Sequence, residues 1–166
     1  MDCSTMKPTA FRELVRSGRF TGQTSGVCNG YAQANLVILP KDLAFDFLLF
    51  ATRNPKPCPI LDVTEVGNPE PRLAAPGADL RYDIPKYRIY RHGEMAEEVS
   101  TLEQYWRDDS SPFFSAAAFP LKGRSLMRAL KYATSRKGTT FPCILRTVNA
   151  FLPVSSTDRL SFPCAP

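Results

Sequence analysis

The fold is decided by ANLVILPKDLAFDFLLFATRNPKPCPILDVTEV, residues 34–66. Ala34 to Leu39 is a short, β-branched apolar run closed by Pro40, the pattern of a buried strand. From Asp42 to Thr52 the period changes. Leu43, Phe47, Leu48 and Ala51 recur at helical spacing. Arg53 to Pro59 holds three prolines and reads as a stiff, irregular connection. Ile60 to Val66 is then a second apolar run of strand character. A strand, a helix and a strand in this order predict a parallel βαβ unit. The fold class is therefore mixed α/β, with an incomplete sheet.

Upstream, Thr9 is placed to cap a short helix through Ser17, with Phe11, Leu14 and Val15 on one face and Gly18 as its stop. Thr21 to Tyr31 is rich in Gly, Thr, Ser and Asn and reads as a loop. Downstream, Gly67 to Pro76 is a Pro- and Gly-rich loop. Tyr87 to Tyr90 and Met95 to Val99 form a hairpin that turns at His92-Gly93. Leu102 to Arg107 starts a short helix. Asp79, Arg81 and Asp83 alternate with Leu80 and Tyr82, as a charge ladder on one strand face would.

Regular patterning ends at Asp109. Residues 1–109 carry a net charge of −2, and residues 110–166 carry +7 with Asp158 as their single acidic residue. Apolar residues in that tail keep neither a helical nor a strand period for long, and prolines fall in it without turn logic. The chain thus divides into an N-terminal body, 1–109, and a C-terminal third, 110–166, expected to be irregular or poorly ordered. The basic character resides in the tail, which has no recognisable nucleic-acid motif, so no nucleic-acid partner is expected. No apolar stretch is long enough to span a bilayer, and the N-terminus lacks the apolar core of a signal peptide. The expected location is the cytoplasm, without a membrane partner. The five cysteines form no C-x-x-C pair, and His92 is the single histidine, so no metal site is expected.

Several residues could carry chemistry. In the polar loop that leads into the first strand, Thr24, Ser25, Asn29, Gln33 and Asn35 offer hydrogen-bond donors. Gly22, Gly26 and Gly30 would let backbone N–H groups approach a carboxylate. A self-satisfied glycine-rich turn fits the same residues. Arg53, Asn54 and Lys56 could bind a carboxylate or simply cap the preceding helix. Glu65, at the end of the second strand, is the best-placed carboxylate for acid/base work, because ligands gather at C-terminal strand ends in α/β sheets. A solvated surface glutamate is the commoner meaning of such a residue. His92 reads as an exposed turn residue, and Cys28 and Cys58 lack an activating neighbour in sequence.

Four blocks then carry a resemblance. TGQTSGVCNGYAQANLVILPKDLAFDFLLF at 21–50, RNPKPCPILDVTEVGNPEP at 53–71, DLRYDIPKYRIYRHGE at 79–94 and WRDD at 106–109 resemble the D-glutamate cyclase family, also called the putative hydro-lyases. The match spans nearly all of residues 1–109. The family pattern after WRDD continues approximately as LVAFLLGCSF, whereas this chain reads SSPFFSAAAF. Written as TCG TCG CCT TTC TTC TCG GCT GCA GCT TTC and regrouped by one base, the observed residues become VAFLLGCSF. Later parts of the tail regroup in the same way. The reading is a frameshift of one lost nucleotide in the codon after Asp109, leaving an out-of-frame tail.

The resemblance implies a lyase that cyclises D-glutamate to 5-oxo-D-proline with loss of water, acting on a small-molecule carboxylate without metal or organic cofactor. Such chemistry needs a base, an acid, oxyanion donors and a cation for the α-carboxylate. Glu65, Asn35 and Gln33 are the catalytic candidates; Arg53, Asn54, Lys56, Thr24 and Ser25 are the substrate-binding ones. The chain itself is expected to be inactive. Two alternatives stand beside this: a hydro-lyase for another small carboxylic acid, and a non-enzymatic interaction module whose basic tail docks an acidic partner. Oligomeric state is not legible.

Overall fold

The computed structural model describes residues 2–56 and 58–116, and the backbone of 143–153. Its elements are α1 (Pro8–Arg16), β1 (Tyr31–Pro40), α2 (Lys41–Arg53), β2 (Ile60–Val63), β3 (Tyr87–Arg91), β4 (Glu94–Val99), β5 (Ser110–Ala116) and β6 (Cys143–Pro153). The fold is mixed α/β. The six strands form one sheet in the order β2-β5-β1-β6-β3-β4, and every adjacent pair is antiparallel.

The β1–α2–β2 unit is present, but the expected parallel pair is not. β5 runs antiparallel to both β1 and β2 and lies between them. The two strands therefore point the same way without touching, and the crossover spans a gap one strand wide. β1 has partners on both edges and is buried from Ala34 to Pro40, which explains its unbroken apolar run. Ala34, Leu36 and Ile38 enter one core with Leu80, Ile84, Tyr87, Ile89, Leu102 and Phe114. Val37 and Leu39 face the other way and pack with Leu43, Phe47 and Ala51 of α2, with Cys58 and with Phe113. A smaller core joins α1 (Phe11, Leu14, Val15) to Cys3, Val27 and Cys28.

Several local expectations are corrected. α1 starts one residue before Thr9: Lys7 is the N-cap, makes no side-chain cap bond, and Pro8 opens the helix. Pro is favoured there because its missing N–H would be unpaired anyway. β2 stops at Val63: Thr64 N–H still bonds Pro112 O at the next position in register, but Pro112 has no N–H to return. Leu102 to Arg107 makes a single turn, with Leu102 O accepting from Tyr105 and Trp106. Asp79, Arg81 and Asp83 sit in a turn instead of on a strand, because Asp83 accepts a bond from Asp79 N–H and closes the backbone there. The hairpin is as the sequence predicts: β3 pairs with β4, and both His92 (φ 53°) and Gly93 (φ 78°) take the left-handed conformation of a tight turn.

Regular structure continues a few residues past Asp109. Ser110–Ala116 is a central strand, buried along nearly its whole length, and delivers Phe113 and Phe114 to opposite cores. Bulky apolar residues at 113 and 114 suffice to seat it. Trp106 Nε1 donates to Gly67 O at 3.1 Å. Gly67 is required here, because a Cβ at this position would lie 2.8 Å from Asp108 O. β6 takes the other side of β1, from Tyr31↔Pro153 to Ile38↔Ile144, with the register shifting between Ala32 and Ala34. Residues 117–142 and 154–166, which hold most of the basic tail, lie outside the described residues.

β5 also carries the strand's defects. Ser111 and Ser115 face the α2 side, in register with Leu39 and Asn35. Their hydroxyls are buried without a hydrogen-bond partner, and no other side chain among the described residues shares that state. Pro112 lies between them, opposite Ile38, on a strand with neighbours on both edges. Proline removes a ladder donor and normally keeps to sheet edges.

Candidate functional site

The glycine-rich loop before β1 returns the chain into the sheet through two left-handed glycines, Gly26 (φ 76°) and Gly30 (φ 92°). Cys28 between them is also left-handed and is fully buried, tied to the N-terminal arm by its N–H to Cys3 O at 3.0 Å. Gln33 closes the loop by donating from Nε2 to Thr24 O at 3.3 Å. Two residues on, Asn35 projects by strand alternation toward the α2 face, opposite Ser115, and is largely buried. Ser115 lies opposite Ile60, the first residue of β2. α2 runs back over β1, so its C-terminal Arg53 and the 54–59 connection reach this same end of the sheet.

Thr24, Gln33, Asn35 and the Arg53–Lys56 segment thus share one end of the molecule. Thr24 and Gln33 are in direct contact. Ser25, Arg53 and Lys56 are exposed. Asn54 is committed elsewhere: its Nδ2 donates to Phe50 O at 2.8 Å and caps α2. Glu65 is not among them. It lies past the far end of β2, about 17 Å of strand away. Its carboxylate is half-exposed, pairs with Arg72 at 3.1 Å and accepts from Asn68 at 3.2 Å. A bond from its own backbone N–H, then Asn68 and Arg72, hold its pKa below the usual carboxylate range. A carboxylate held that way is a poor proton donor near neutrality.

The sequence reading missed a buried ionic knot. Asp83, with a side chain 2% exposed, binds Arg16 through both oxygens, the second at 2.7 Å from Nη2. It also accepts from Asp79 N–H at 2.7 Å, and Arg12 Nε lies 3.7 Å away. Arg12 donates onward to Pro76 O at 3.3 Å. Burial lowers the Arg12 pKa, and Asp83 opposes that shift. The Arg12/Arg16 spacing of one helical turn was the available sequence signal; the acid that meets them is 67 residues from Arg16. Asp62 anchors a second loop, accepting backbone N–H bonds from Leu73 at 3.1 Å and Ala74 at 2.8 Å.

Burial, then the neighbouring Cys3, pushes the Cys28 thiol up to about 11; burial also raises Cys58. The raised Cys28 value contributes stability that is complete below the unfolded thiol's range and is lost as pH rises through about 11. At pH 8 roughly one Cys28 in a thousand is thiolate. Iodoacetamide should therefore leave Cys28 and Cys58 unmodified at pH 8 until denaturant is added, as peptide mass mapping will read.

The chain is 60% identical over 116 residues to a Bacillus velezensis protein named "Putative hydro-lyase", covering 70% of this chain and 44% of that protein. It is 60% identical over 114 residues to "Putative hydro-lyase YcsI" of Bacillus subtilis, covering 69% of this chain and 44% of that protein. A Thermoanaerobacter protein of the same description is 50% identical over 143 residues, or 86% of this chain and 54% of its own length. The chain is similar to proteins of this hydro-lyase description over more than two thirds of its own length. No family model matches it. The chain spans about half the length of the curated relatives it matches. Among the described residues no helix is long and apolar enough to cross a membrane, and no cluster of three or more His, Cys, Asp or Glu could hold a metal ion.

Proposed function

We propose that this chain is the first half of a hydro-lyase of the D-glutamate cyclase type whose reading frame is lost just after Asp109. The observation that carries the reading is the set of defects on β5. Restoring the frame by one base gives LVAFLLGCSF from residue 110 onward. Val then replaces Ser111, Ala replaces Pro112 and Leu replaces Ser115, while position 113 keeps Phe and position 114 becomes Leu. The two orphaned hydroxyls become apolar side chains, and the missing ladder donor returns. Phe113 and Phe114 explain why the shifted reading still makes a strand: its bulky apolar residues fall at the same two positions.

In the restored protein the reaction is a cyclisation. The α-amine of D-glutamate attacks the γ-carboxyl carbon, a C–N bond forms, and the C–O bond to the departing hydroxyl breaks. The nitrogen loses two protons, one on becoming the free amine and one from the adduct, and both pass to the carboxylate oxygen that departs, so water is the only co-product. Thr24, Ser25, Gln33 and Asn35 would supply donors to the substrate carboxylate and the tetrahedral oxyanion. Arg53 and Lys56 would supply the cation for the α-carboxylate. The acid/base pair would come from downstream residues, because Glu65 stands at the other end of the sheet. Another small carboxylic acid fits the same donors and is the second substrate to test.

The test is turnover of D-glutamate to 5-oxoproline. The chain as it stands should form none, and the frame-restored protein should form it. Asn35→Ala or Gln33→Ala in the restored protein should lower kcat on the order of a hundredfold. Turnover by the present chain would overturn the reading.

A further inference from the structure

We propose that the outward face of α2 is an interface, covered in full-length members of the family by the second half of their own domain. α2 is apolar around most of its circumference. Leu43, Phe47 and Ala51 are buried against the sheet, yet Phe45 is 70% exposed, Leu48 38% and Phe50 37%. At helical spacing Phe45, Leu48, Leu49 and Thr52 form a second stripe on the side away from Leu43 and Phe47. A surface helix keeps that side polar, whereas a helix apolar all round belongs inside a larger protein. Asp42, Asp46 and Arg53 border the stripe, as a polar rim borders a buried patch.

The occupant follows from length. The relatives are about twice as long as their match to this chain, which covers 44% to 54% of them. Roughly half of each relative's chain is therefore available to pack here. A second copy of this chain fits less well. Three or four partly exposed apolar side chains offer far less than the ~800 Å² per partner that a stable protein–protein interface buries. The inference does not depend on which acid the family acts on.

Hydroxyl-radical footprinting with peptide mass mapping tests it on proteins as they exist. In this chain Phe45 and Leu48 should be readily oxidised. In the full-length Bacillus velezensis relative, the positions aligned with them should be at least tenfold less oxidised. Equal oxidation in both proteins overturns the proposal. So does protection in this chain that disappears on dilution, which would assign the face to a second copy. Phe45→Asp provides an independent readout: the melting temperature of this chain should not change, while the aligned substitution in the relative should lower it by several degrees. Unchanged melting in both would overturn the proposal as well.

Discussion

Replacing Ser111 by Val, Pro112 by Ala and Ser115 by Leu together should stabilise the chain by on the order of 3–6 kcal/mol. Each serine leaves a buried hydroxyl without a partner, which typically costs about 1–3 kcal/mol. Each of the two serine replacements adds apolar area that becomes buried, at about 25 cal/mol per Å². Pro112→Ala adds the N–H that a strand with two neighbours needs. Ser111 and Ser115 are about 13 Å apart along the strand, so their effects should add. Denaturant titration of the single and triple variants reads this directly. A triple variant less stable than the parent would mean that the pockets around β5 are fitted to serine, and the frame argument would lose its structural support.

Asp83→Ala should be the most damaging single change in the body, costing about 3–5 kcal/mol. It removes the acceptor shared by Arg16 and Asp79 N–H and leaves Arg12 buried beside Cys28 without its nearby acid. α1 would then lose its tie to the turn at 79–83. Asp83→Asn should cost less, because the amide oxygen can still accept one of these bonds while the charge is lost. Thermal melts of both variants will order them. Equal, small losses would show that α1 is held by Phe11, Leu14 and Val15 alone.

What could be read from the sequence was what is local. β1, α2 and the start of β2 each declare themselves through a period that one window contains. The β3–β4 hairpin is legible because His92-Gly93 must take positive φ. Long-range partners were not legible. Nothing near Arg16 announces Asp83, and nothing in Ile60–Val63 says that its neighbour is β5 instead of β1. β5 was passed over for a physical reason: serines and a proline break the alternation that marks a strand, and those residues are the misfits in the folded structure. At the candidate site, the loop-to-strand donors Thr24, Gln33 and Asn35 do share one end of the sheet. Glu65 was placed by a rule for parallel sheets, and the antiparallel insertion of β5 leaves it exposed and paired with Arg72 at the opposite end.

The nucleotide sequence across and beyond the Asp109 codon tests the account most directly. Adding one base just after that codon should open a continuous frame that begins LVAFLLGCSF and runs on for roughly the second half of a family member. A locus in which no single-base change yields that continuation would contradict the account, and Ser110–Ala116 would then be a native strand of a shorter protein.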